Sequence, residues 1–122
     1  MKKKHFIISW EIYPFDVLVS IGEHQSKVVK IIEKSGYKLD DEEKEKLWMR
    51  GIGRTIMLGG GQTIMRLKNT KPDIVAHEIS HAVFFLMDKI GIKLSNSSDE
   101  AYSYAIQFLT KKINEQMKKN VS

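Results

Sequence analysis

Apolar residues change their spacing along this chain, and each change marks an element. Residues 6–13 and 16–21 are rich in β-branched and aromatic side chains and meet at Pro14, which predicts two strands around a bend. From Gln25 the spacing turns helical. Val28, Val29, Ile31 and Ile32 recur over residues 25–34, and Gly36 ends the run. Asp40 with Glu43 three residues on is a capping-box start for a second short helix through Trp48. Two similar apolar runs, residues 55–58 and 63–67, flank Gly59, Gly60 and Gly61, the pattern of a β-hairpin whose turn uses glycine for positive φ. Pro72 suits the first turn of the next helix, expected to run to about Ile90 and stop at Gly91. Its buried stripe is Val75, Ile79, Ala82, Val83, Leu86 and Ile90. A last helix is expected from near Ser98 to about Lys119, with Tyr102, Ile106, Leu109 and Ile113 as its apolar face. This order predicts an α+β domain with helices packed on a small mixed sheet.

At 122 residues the chain matches a single domain, 1–122, long enough to bury a core without a disulfide or a structural metal. It has no cysteine, which excludes a disulfide framework and a thiolate metal site. Glu11, Pro14 and Asp16 interrupt the apolar run behind the N-terminal lysines, so that run lacks the form of a signal peptide. No segment approaches the ~18 continuous apolar residues of a membrane span. The expectation is a cytoplasmic protein with no membrane partner. The net charge of +5 comes mostly from lysines scattered along the chain, with only Arg50, Arg54 and Arg66 as arginines. Nucleic-acid sites favour arginine and cluster their charge, so a solvated lysine surface is expected rather than a nucleic-acid partner. Gly51 and Gly53 lack the Lys-Ser/Thr that would follow in a phosphate loop.

Candidate chemistry concentrates in one stretch, DIVAHEISHAVFF, residues 73–85. His77 and His81 stand one helical turn apart, so both imidazoles leave the same face and can converge on one ion, with zinc well suited to imidazole. Glu78 lies about 100° round the helix, poorly placed as a ligand but able to act as a general base. Given the chain's His and Glu content, accidental HExxH matches number roughly 0.01, which favours a metal site over two histidines edging an apolar stripe. Catalytic zinc normally has three protein ligands. Glu100 follows His81 with 18 residues between, and an antiparallel last helix would bring its first turn back towards the pair. Ser97-x-x-Glu100 equally reads as a capping box, and Asp99 is the neighbouring acid.

HExxH, 18 residues and then Glu resembles the gluzincin metallopeptidases, over residues 73–107. The resemblance implies a zincin-like fold: a small, mostly antiparallel sheet packed against the HExxH helix, with a C-terminal helix carrying the third ligand. It implies Zn2+ held by His77, His81 and Glu100, Glu78 as general base, and a peptide or protein substrate. Zincins set an edge strand above this helix, and residues 63–68 of the hairpin are the expected one, with Thr63, Ile64, Met65 and Arg66 offering backbone groups to an extended substrate. Thermolysin-like enzymes carry an aspartate four residues after the ligand glutamate, where this chain has Tyr104. They also carry a further subdomain as the other cleft wall, so the likeness is to the minimal single-domain gluzincins. Tyr102 and Tyr104 are the nearest candidate donors to an oxyanion, with His24 and Arg66 more distant ones. The expected activity is zinc-dependent peptide hydrolysis. The alternative is a zincin-like domain that binds zinc and a partner with little or no hydrolysis.

Overall fold

The structure, a computed structural model, describes residues 4–120, without the side chain of Asn120. Its elements run β1 (His5–Ser9), β2 (Asp16–Ile21), α1 (Gln25–Lys34), α2 (Asp41–Lys46), β3 (Gly53–Met57), β4 (Thr63–Leu67), α3 (Pro72–Lys89) and α4 (Asp99–Asn120). The four strands form one mixed sheet in the order β1-β2-β4-β3. β1 pairs antiparallel with β2, β2 parallel with β4, and β4 antiparallel with β3. The molecule is thus a small α+β fold of four strands and four helices among the described residues.

Side-chain parity explains the layers. In β4, Met65 and Leu67 face one side of the sheet with Val17 and Val19 of β2, and α3 and α4 cover them. Ile64 and, from β2, Leu18 face the other side, where Val28 and Ile32 of α1 join Leu39 and Leu47. Covered on both faces, β2 and β4 are buried almost throughout, as interior strands are. The α3 stripe packs as the spacing predicts, with Val75, Ile79, Ala82, Val83 and Leu86 buried and Ile90 partly so. On α4 the seam runs through Tyr102, Leu109 and Ile113 but leans towards Ala105 and Phe108. Ile106, expected in that seam, is instead 40% exposed.

Three elements differ from their expected form. The first strand, expected over residues 6–13, ends at Ser9, and residues 11–14 form a bend in which Glu11 has positive φ. The second helix ends at Lys46 and not at Trp48, because Leu47, its one deeply buried apolar residue, serves as the C-cap. Its start is the expected capping box: Asp40 accepts from the Glu43 amide and the Glu43 side chain accepts from the Asp40 amide. In the hairpin, only Gly61 of the three glycines has positive φ, at +98°. A Cβ there would also collide with the Phe15 ring, so both conformation and space demand glycine.

The expected edge strand is corrected. β4, which carries Thr63, Ile64, Met65 and Arg66, lies inside the sheet, and its backbone is engaged by β2 on one side and β3 on the other. It therefore has no free groups for a substrate. The edge beside α3 belongs to β3, the other arm of the hairpin. No described helix is long and apolar enough to cross a membrane.

Candidate active site

α3 carries three motif residues to two different surroundings. His77 and His81 stand exposed on its outer face, with their Nε2 atoms 3.2 Å apart and their rings edge to face. His81 also stacks on Phe85, one turn further, at 6.3 Å between ring centroids. Two imidazole nitrogens bound tetrahedrally to one zinc at ~2.05 Å would lie about 3.3 Å apart. The observed separation fits that donor pair. It also fits a hydrogen bond between one protonated and one bare Nε2, so the distance alone serves both states.

Glu78 turns away from the histidines' outer face and under the sheet edge, where it is only 5% exposed. Its Oε1 accepts a 2.7 Å hydrogen bond from the Thr55 hydroxyl of β3. Its Oε2 occupies the space above Gly53, where an added Cβ would approach to 2.7 Å. Gly53 is needed here for the room it leaves. Gly53 and Thr55 are two apart on one strand and so face the same way, towards α3. One supplies a niche and the other a donor for a single carboxylate. A hollow of about 410 Å³ opens beside it, bordered by His77, Glu78, Asp73, Arg50 and Gly53. Sequence reasoning missed Thr55 and Gly53, and the only signal for them was that shared parity within the hairpin.

The fourth motif residue stands apart. Glu100 is exposed in the first turn of α4. Two residues on, the Tyr102 ring packs on Phe84, so this turn lies at the C-terminal side of His81. Among the described residues no group of three His, Cys, Asp or Glu side chains is gathered at metal-holding distance. The serines before α4 bond locally: Ser97 shares its hydroxyl with that of Ser95 at 2.9 Å, and Ser98 donates to the Lys93 carbonyl.

Four other candidates are placed elsewhere by their packing. Tyr102 donates its hydroxyl to the Ile92 carbonyl at 2.6 Å, which ties the α3–α4 connection together and takes that donor away from any oxyanion. Tyr104 is 66% exposed on the rim of a different hollow, which Trp10 and Phe108 also line. His24 caps α1, accepting from the Ser26 amide at 3.2 Å, and α1 covers the sheet face opposite α3. Arg66 is buried on that same opposite side, donating to Gln25 Oε1 and the Leu47 carbonyl at 2.8 Å each and to the Glu23 carbonyl at 2.5 Å. Burial lowers the pKa of its guanidinium, and the nearby Glu23 charge opposes that shift. It is a structural post between α1, α2 and the sheet.

No family model, curated protein or solved structure matches this chain. The likeness to gluzincins rests on the four motif residues and their spacing.

Proposed function

We propose that this protein is a zinc-dependent peptide hydrolase, with His77 and His81 as two of the ligands, Glu100 as the third, and Glu78 as general base. The observation that carries this reading is the pairing of converged Nε2 atoms, 3.2 Å apart, with a buried carboxylate on the next residue that opens to a hollow under a free strand edge. Zinc bound by such a set would supply a water of pKa near ~7 and polarise the scissile carbonyl.

The chain's own groups supply the rest. Thr55 donates to one oxygen of Glu78 and fixes the carboxylate's rotation, which leaves the other oxygen at the hollow to take the attacking water's proton and return it to the leaving amine. β3, and not β4, offers the backbone groups that align an extended substrate beside α3. Tyr102 and Arg66 are left out of oxyanion stabilisation in this reading, because the Tyr102 hydroxyl is taken by the Ile92 carbonyl and Arg66 is buried on the opposite face of the sheet.

Metal content by plasma mass spectrometry tests the reading, run on the parent, His77→Ala and Glu100→Ala. About one zinc per chain in the parent, lost in the first variant and weakened in the second, supports it. No zinc in the parent after zinc is supplied sinks it. One observation favours a second reading: with no third ligand beside the histidines among the described residues, the same groove serves as a partner-binding edge with little hydrolysis. Zinc bound at His77 and His81 and unaffected by Glu100→Ala, with no cleavage across a peptide library, would select that reading.

A further inference from the structure

Past Thr55 the free edge of β3 borders a second hollow, of about 530 Å³. Thr55 and Phe85 line it, and both touch the candidate site, Thr55 through Glu78 and Phe85 through the His81 ring. The hollow therefore continues the site along the strand. Its charged lining is three cations against one carboxylate: Lys46 from α2, Arg54 from β3 and Lys89 from the end of α3, with Asp88. The first hollow, by contrast, carries Arg50 against Asp73 and Glu78.

The cations here are poorly neutralised from within. Neither Arg54 nor Lys89 makes an ion pair among the described residues. The Arg54 Nε is buried without a hydrogen-bond partner, and its cross-strand neighbour is a second arginine, Arg66, whose Nη atoms are engaged elsewhere and whose Nε is likewise unpartnered. Lys46 is shared with Glu42 at 3.3 Å, but both are exposed, and such a pair is weak. Three positive groups thus flank the strand edge, Arg54 and Lys46 on the face of α1 and α2 and Lys89 on the face of α3, with a surplus of donors and a shortage of acceptors.

We propose that this recess selects an acidic side chain on an extended peptide lying along β3. The inference rests on the proposed use of that edge by a substrate, and it concerns binding, not hydrolysis. A peptide strand paired with β3 satisfies the free backbone groups and sends alternate side chains to each face of the sheet. A glutamate or aspartate sent to the face of α2 meets Arg54, whose fork matches a carboxylate, with Lys46 adding a point charge, and one sent to the face of α3 meets Lys89.

The test is fluorescence anisotropy on the full chain in EDTA, with fluorescein-labelled octapeptides of alternating Thr-Glu and alternating Thr-Gln. The Glu peptide should bind about tenfold more tightly, and the difference should shrink to about twofold or less in Arg54→Gln/Lys89→Gln. Lys46→Gln/Lys89→Gln, both at exposed positions, should also shrink it, and covers the case where the Arg54 variant does not fold. Lys27→Gln/Lys30→Gln, with the same charge change on α1, should leave it intact. Equal binding of the two peptides, or a difference lost equally in the α1 control, would overturn the proposal. Displacement by an eight-nucleotide oligothymidylate as readily as by unlabelled Glu peptide would also overturn it, in favour of nucleic acid. A tenfold difference in a protein that holds no zinc leaves this proposal standing and removes the hydrolase. Zinc and cleavage without the difference do the reverse.

Discussion

Glu78 is held by one donor and one vacancy, and each can be altered singly. Thr55→Val keeps the side chain's shape but removes the hydroxyl that donates to Oε1. A buried carboxylate that loses a partner should cost about 1–3 kcal/mol of stability, read in urea. On the proposed mechanism kcat should fall about tenfold with KM little changed, and Thr55→Ser should restore it. An unchanged kcat in Thr55→Val would mean the hydroxyl only packs. Gly53→Ala acts from the other side. Its φ is not left-handed, so the strain is the 2.7 Å collision with Oε2 alone. The expected result is roughly 1–3 kcal/mol lost, or a displaced carboxylate, with zinc content kept and hydrolysis reduced. Glu78→Gln should likewise keep zinc and abolish cleavage, and continued cutting by that variant would remove Glu78 from its role.

At the scale of elements, Tyr102 and Tyr37 act as fasteners. Tyr102→Phe should cost about 1 kcal/mol through the lost bond to the Ile92 carbonyl, with kcat and KM unchanged. A large fall in kcat would return Tyr102 to the chemistry. Tyr37 links α2 to the hairpin turn: it donates to Glu43 Oε2 at 2.5 Å and accepts from the Gly59 amide at 3.2 Å. The bond to Glu43 holds its pKa above the ordinary phenol value, so the neutral form is the stabilising one. Its contribution is therefore complete below about pH 10 and fades as the pH rises through the raised folded value. Denaturant midpoints measured from pH 8 to 11 should show an added decline at the alkaline end that Tyr37→Phe lacks.

These fasteners also show what periodicity can and cannot carry. The stripes of α1 and α3 and the capping box of α2 were readable because they depend on neighbours within a few residues. The place of β4 was not, since it is fixed by parallel pairing with β2, more than forty residues earlier, and an apolar five-residue run looks alike inside a sheet or at its rim. At the site the histidines were readable from the motif. Thr55 and Gly53 were not, because their importance comes from a helix residue, Glu78, that lies 23 residues beyond Thr55 in the chain. Tyr102 is expected to serve an oxyanion and instead donates to the Ile92 carbonyl, because proximity to a motif says nothing about what already holds a hydroxyl.

The whole molecule does not lean on the histidine pair. Both apolar clusters, one under α3 and α4 and one under α1, close without His77 or His81. Removing bound zinc with a chelator should leave the far-UV circular dichroism unchanged and lower Tm only by the linkage owed to a ligand of the native state. Collapse of the spectrum on chelation would instead make the metal structural. Hydrolysis should disappear in the same sample and return with zinc.

An open sheet edge has one more consequence, for the protein as a solute. Nothing in the pairing geometry of β3 distinguishes a foreign strand from the β3 of a second copy, and two such edges can meet about a twofold axis. The lysines and arginine round the recess would then face their own counterparts, so like charge keeps the molecules apart. Screening should weaken that protection. The chain is expected to remain monomeric at low ionic strength and to self-associate as salt rises, and sedimentation velocity at two salt concentrations would register it.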